Sequence, residues 1–121
     1  TWLGQPTATL QAREIINIIR RDNLLSQVNS VGDHIYASLR SLSQKYPQHI
    51  RNLRGEGRGT FIAFDAQDAQ GRDKLLVEMR KLGVNVGGCG TAAVRLRPML
   101  VFQKHHADIF LEKLDSVLKR M

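Results

Sequence analysis

Gly87-Gly88-Cys89-Gly90-Thr91-Ala92-Ala93-Val94-Arg95-Leu96-Arg97-Pro98 decides how this chain is read. A glycine-rich turn runs straight into a strand that carries an isolated pair of arginines. Strand alternation puts Arg95 and Arg97 on one face and Val94 and Leu96 on the other. The apolar pair faces a core. A guanidinium on a strand beside a flexible turn is well placed to grip a carboxylate or phosphate.

Working outward, Val84-Asn85-Val86 reads as a short strand before the turn, and Gly83 as the C-terminal stop of a helix built on Leu75, Leu76, Met79 and Leu82. Upstream, Thr60-Phe61-Ile62-Ala63-Phe64 reads as a buried strand ending at Asp65. Gly55-Glu56-Gly57-Arg58-Gly59 reads as a turn between it and a strand near Ile50–Arg54. Two helices come first. One starts at Pro6, is capped by Thr7 or Thr9 and buries Ile15, Ile16, Ile18 and Ile19. Asp22-Asn23 breaks it and caps the second, where Leu24, Val28, Val31, Ile35, Leu39 and Leu42 recur at spacings of three and four until Pro47. A last helix uses Ile109, Phe110, Leu114, Val117 and Leu118. The order helix, helix, strand, strand, helix, strand, strand, helix predicts an α+β, two-layer α/β fold. Its sheet is short, largely antiparallel and covered by helices. Residues 1–121 form a single domain with a leading arm, Thr1–Pro6.

The chain has 121 residues, 42% of them hydrophobic and 24% charged, which suits one small globular domain. No apolar run approaches the ~18 residues a membrane span requires, so no membrane is expected as partner. The net charge of +7 favours anionic partners, but the cations are scattered. Arg20-Arg21 and Lys119-Arg120 sit where helix ends accept positive charge. Aromatics are 6% of the chain and no RNA-binding aromatic motif is present, which argues against nucleic acid. A basic nucleic-acid module or a small-molecule-binding regulatory domain stay open as alternatives on residue grounds. The single cysteine, Cys89, excludes an internal disulfide and a thiolate zinc cluster.

Candidate chemistry is sparse. The Gly55–Gly59 run lacks the Lys-Ser/Thr of a phosphate-binding P-loop and leads into a strand. His105-His106 with Asp108 reads as polar residues opening a helix, since adjacent helical positions point about 100° apart. No catalytic acid–base pair stands out, and no lysine sits where its pKa would be tuned for a Schiff base. No metal site is expected.

The chain as a whole resembles the C-terminal segment of the 4-aminobutyrate (GABA) aminotransferases, a branch of the class III, fold-type-I pyridoxal-phosphate enzymes. The motifs that carry the resemblance are Thr1-Trp2-Leu3-Gly4, Leu53-Arg54-Gly55, Gly59-Thr60-Phe61, Gly87-Gly88-Cys89-Gly90, Val94-Arg95-Leu96-Arg97-Pro98 and Lys104-His105-His106-Ala107-Asp108. The Gly55–Gly59 stretch departs from the simpler turn of animal-type enzymes and suggests a fungal-type branch. The resemblance implies a small C-terminal domain whose large cofactor-binding domain, Schiff-base lysine and any iron–sulfur cysteines lie upstream. It implies that Thr1 binds the phosphate of pyridoxal 5'-phosphate across a homodimer interface. It also implies that Arg95 handles the carboxylate of glutamate or 2-oxoglutarate, and pairs with a protein glutamate when GABA is bound. Arg97 is the weaker candidate. The start at Thr1 suggests an excised piece, so compartment stays open between mitochondrion and cytosol. The piece alone is expected to be inactive and to retain no cofactor.

Overall fold

Helix starts and stops follow local chemistry in the computed structural model, which describes residues 4–121. α1 (Pro6–Arg21) opens on Pro6, where a missing N–H leaves nothing unsatisfied. Its cap differs from expectation. Gln5 occupies the N-cap without a side-chain bond, and the Thr9 hydroxyl donates back to the Gln5 carbonyl at 3.3 Å. The expected buried stripe is also corrected, because no residue of α1 is buried and Ile15 and Ile16 are 57% and 48% exposed. Its main neighbour is α2, and no further layer among the described residues covers its other apolar side.

Asn23 adopts a left-handed φ of 49° between α1 and α2 (Leu24–Lys45), so it breaks the helices by backbone geometry, and its side chain caps neither. α2 buries Leu24, Val31, Gly32, Ile35 and Leu39. The short side of Gly32 lets the Gly55–Gly59 turn lie directly on the helix.

The sheet joins β1 (Arg51–Arg54), β2 (Ile62–Asp65), β3 (Gly87–Cys89) and β4 (Ala93–Leu96) in the order β1-β2-β4-β3, with every pair antiparallel. Gly55, Gly57 and Gly59 all take positive φ in the β1–β2 turn. In β1 three residues span two of β2, a bulge in which Asn52 takes a φ of 47°. The segment expected as a strand, Val84–Val86, is not one. Pairing shifts forward onto Gly87–Cys89, and only Gly90, at φ 53°, with Thr91 and Ala92 forms the turn. The ladder needs only backbone groups and tolerates glycine, and its last β3–β4 pair is Gly87 opposite Arg95. Thr60 and Phe61 likewise stay outside β2, and Arg97 lies just past β4.

α3 (Ala69–Lys81) is capped by Asp68, whose carboxylate accepts the Gly71 N–H at 2.7 Å. α4 (Lys104–Leu118) completes the helical layer. Ile109, expected on its apolar stripe, is 49% exposed, whereas Phe110, Leu114, Val117 and Leu118 are buried. Phe64, Leu39, Met79 and Leu114 are each fully buried in one core between the helices and the inner sheet face. Among the described residues, no helix lies on the outer face. The fold is thus the expected α+β two-layer arrangement.

Candidate functional site

Strand register builds the site. Arg54 of β1, Ala63 of β2, Arg95 of β4 and Gly87 of β3 stand side by side in one row across all four strands. The alternate residues Ile62, Phe64, Val94 and Leu96 are buried, so this row faces outward. Two of its four members have little or no side chain. The guanidiniums of Arg54 and Arg95 therefore project from an otherwise low floor.

Arg97, placed just beyond β4, joins them. A cleft of about 300 Å³ is lined by Arg54, Phe61, Ala63, Cys89, Arg95 and Arg97. Arg95 and Arg97 also border a second cleft of about 280 Å³, floored by Val86, Leu96 and Phe110 beside the β3 edge. Phe61 is 64% exposed and forms an apolar wall beside the arginines.

The three cations differ in their partners. Arg54 donates to the Asn52 carbonyl at 2.9 Å and lies 3.0 Å from the Asp65 carboxylate. Asp65 also accepts from the Asn52 amide at 2.8 Å. That hydrogen bond holds the Asp65 carboxyl below its ordinary value, opposed by desolvation and helped to a lesser degree by Arg54. Among the described residues, neither Arg95 nor Arg97 has a carboxylate within 4.0 Å or a side-chain hydrogen bond. Arg54 is thus largely satisfied within the sheet. Arg95 and Arg97 offer their donors to whatever occupies the cleft. A planar guanidinium in that state takes a carboxylate in bidentate geometry.

Arg95 therefore lies in the open cleft, as its strand position required. Arg97 shares that cleft, although it lies outside the strand. Thr1, the other candidate, lies outside the described residues, as does Trp2. Cys89 is a free, half-buried thiol on the cleft wall. The histidine cluster reads as helix-opening chemistry: His106 Nδ1 accepts the Gln103 N–H at 3.0 Å and closes a capping box. No group of three metal-ligating side chains occurs among the described residues. No described helix is long and apolar enough to cross a membrane.

Sequence reasoning gave Arg54 and Phe61 no role at the cleft. Their signal is the register Arg54–Ala63–Arg95, which becomes visible only once the β1 bulge is known. It also gave His34 no role, yet His34 Nε2 lies 2.6 Å from Asp108 and ties α2 to α4. Seventy-four residues separate that pair, so no local pattern reports it.

Comparison with known proteins follows the same lines. The family model described as aminotransferase class-III matches residues 1–118. A 4-aminobutyrate aminotransferase of Schizosaccharomyces pombe is 54% identical over 98% of this chain, which covers 25% of that relative. The mitochondrial 4-aminobutyrate aminotransferase of Mus musculus is 46% identical over 98% of this chain and is 23% covered by it. In structure, a lysine aminotransferase from M. tuberculosis superposes with a TM-score of 0.85 at 27% identity, over 91% of this chain and 25% of its own. The chain spans about a quarter of the length of the relatives it matches.

Proposed function

The chain belongs to the class-III aminotransferase family, and from that premise we propose that residues 1–121 are the small C-terminal domain of a 4-aminobutyrate aminotransferase. The parent moves the amino group of 4-aminobutyrate to 2-oxoglutarate, giving succinate semialdehyde and glutamate. The observation that supports this reading best is Arg95, which stands in an open cleft without a carboxylate partner among the described residues. The 54% and 46% identical relatives, both named for 4-aminobutyrate, support that choice of substrate.

This enzyme must accept a donor with one carboxylate and an acceptor with two. In this proposal Arg95 binds the α-carboxylate of glutamate or 2-oxoglutarate. With 4-aminobutyrate, which has no carboxylate there, Arg95 turns to a glutamate of the large domain. Such a charge-assisted bond contributes about 1.5–3 kcal/mol, which is one to two decades of discrimination. Arg97 adds positive potential that favours the doubly charged acceptor. Phe61 supplies an apolar wall that limits water beside the arginines.

Pyridoxal 5'-phosphate, when bound in the parent, supplies the electron sink of the amino exchange. Within this chain only Thr1 is assigned to it. A threonine hydroxyl suits a phosphate oxygen, and in this proposal Thr1 reaches the cofactor across the interface of a homodimer. The Schiff-base lysine belongs to the upstream domain, and compartment is mitochondrial or cytosolic. The 121-residue chain by itself is inactive and retains no cofactor. The unpartnered apolar side of α1 fits a domain made to pack against a larger body. The test is Arg95→Ala in the full-length enzyme, with the two half-reactions followed separately. A selective loss with glutamate and 2-oxoglutarate supports the role, and equal losses in both reject it.

A further inference from the structure

Gly87 is a glycine for a reason its backbone does not supply. Gly55, Gly57, Gly59, Gly83 and Gly90 all take positive φ, but Gly87 does not, so its backbone would accept any residue. It lies in the ladder opposite Arg95. A Cβ placed on it would come within 3.3 Å of Arg95 Nε and 3.5 Å of Arg95 Cγ, and its next contact is the Arg95 carbonyl at 3.9 Å. These three nearest atoms all belong to Arg95. The neighbouring Gly88 differs, since its Cβ would meet Arg72 on the helical face. The Arg95 side chain therefore leans over Gly87 on the bare edge of β3.

We infer that Gly87 is a positioning residue for Arg95, setting the guanidinium's place and hence selectivity for the dicarboxylate substrate; this rests on the substrate role proposed for Arg95. A methyl at position 87 makes the Arg95 stem give by a few tenths of an ångström. Bidentate carboxylate binding is sensitive to such a shift.

The test uses the full-length enzyme and the variants Gly87→Ala, Arg95→Ala and the double variant, with both half-reactions and thermal unfolding measured. Gly87→Ala is expected to raise KM for 2-oxoglutarate and glutamate roughly 2- to 10-fold, since a misplacement of about 1 Å costs on the order of 100-fold. The 4-aminobutyrate half-reaction keeps its KM, and Tm does not fall, because alanine fits the strand and restricts the unfolded chain. In the Arg95→Ala background the Gly87→Ala effect disappears. The same fold-loss in that background, an equal loss in both half-reactions, or wild-type kinetics of Gly87→Ala overturns the positioning role. If Arg95→Ala itself does not separate the half-reactions, the reading of Arg95 falls and this inference falls with it. A normal Arg95→Ala effect without coupling removes Gly87 alone.

Discussion

Gly32→Ala sets two magnitudes against each other inside α2. Helix propensity favours the change by about 1 kcal/mol, since alanine is the best helix former and glycine among the worst. Packing opposes it. A Cβ on Gly32 would overlap the Gly59 carbonyl and sit 2.8 Å from the Gly59 Cα. Both approaches fall about 1 Å or more inside ordinary contact. Both walls are backbone, so no side chain can swing away: either α2 tilts or the Gly55–Gly59 turn lifts. Overpacking of this kind costs about 3 kcal/mol at the upper end of its usual range. The clash wins, and the net loss is about 2 kcal/mol, which lowers Tm by roughly 6–10 °C for a domain of this size. Thermal unfolding followed by far-UV circular dichroism measures it. Gly57→Ala is the comparison. It strains a positive φ of 68° but meets nothing within 4 Å, and so costs only about 1–2 kcal/mol. A Gly32→Ala chain as stable as wild type, or more stable, would refute the close approach of turn and helix. The contact matters for the site because the turn delivers Phe61 and β2 to the cleft.

Further outcomes follow from the core and from the outer sheet face. Phe64→Ala empties a fully buried position between β2 and the helical layer and should cost about 3–5 kcal/mol, read from the urea midpoint. Asp65 is held below the ordinary carboxylate range, so its stabilising contribution is complete above that range and fades as pH falls through its lower folded value. Asp65→Asn should therefore flatten the acid limb of the stability–pH curve below about pH 4 and leave the neutral region little changed, within the ~1 kcal/mol of a surface pair. Unfolding curves across that pH range for both chains would show it, and parallel curves would exclude Asp65 from the acid response.

The sequence reports most reliably where a local rule decides. Leu24, Val31, Ile35 and Leu39 mark the buried side of α2 by spacing alone, and all four are buried. Gly83 stops α3 with a φ of 82°, as a helix-terminal glycine should. Pattern fails where the partner is distant. The isoleucines of α1 carry a core-like stripe, but what covers them is not among the described residues. Val84–Val86 has strand-forming residues, yet backbone pairing falls on Gly87–Cys89, because a ladder is set by the register with a partner strand and not by local propensity. Arg95 was legible from strand alternation. The row that joins it to Arg54 and Gly87 was not, since an extra residue in β1 shifts that register.

Separated half-reactions of the full-length Arg95→Ala enzyme test the central claim most directly, followed in single turnover by the absorbance change of the cofactor. The account predicts a loss of one to two decades in kcat/KM with glutamate and 2-oxoglutarate, and a much smaller change with 4-aminobutyrate. Equal losses in both directions, or none in either, would contradict it.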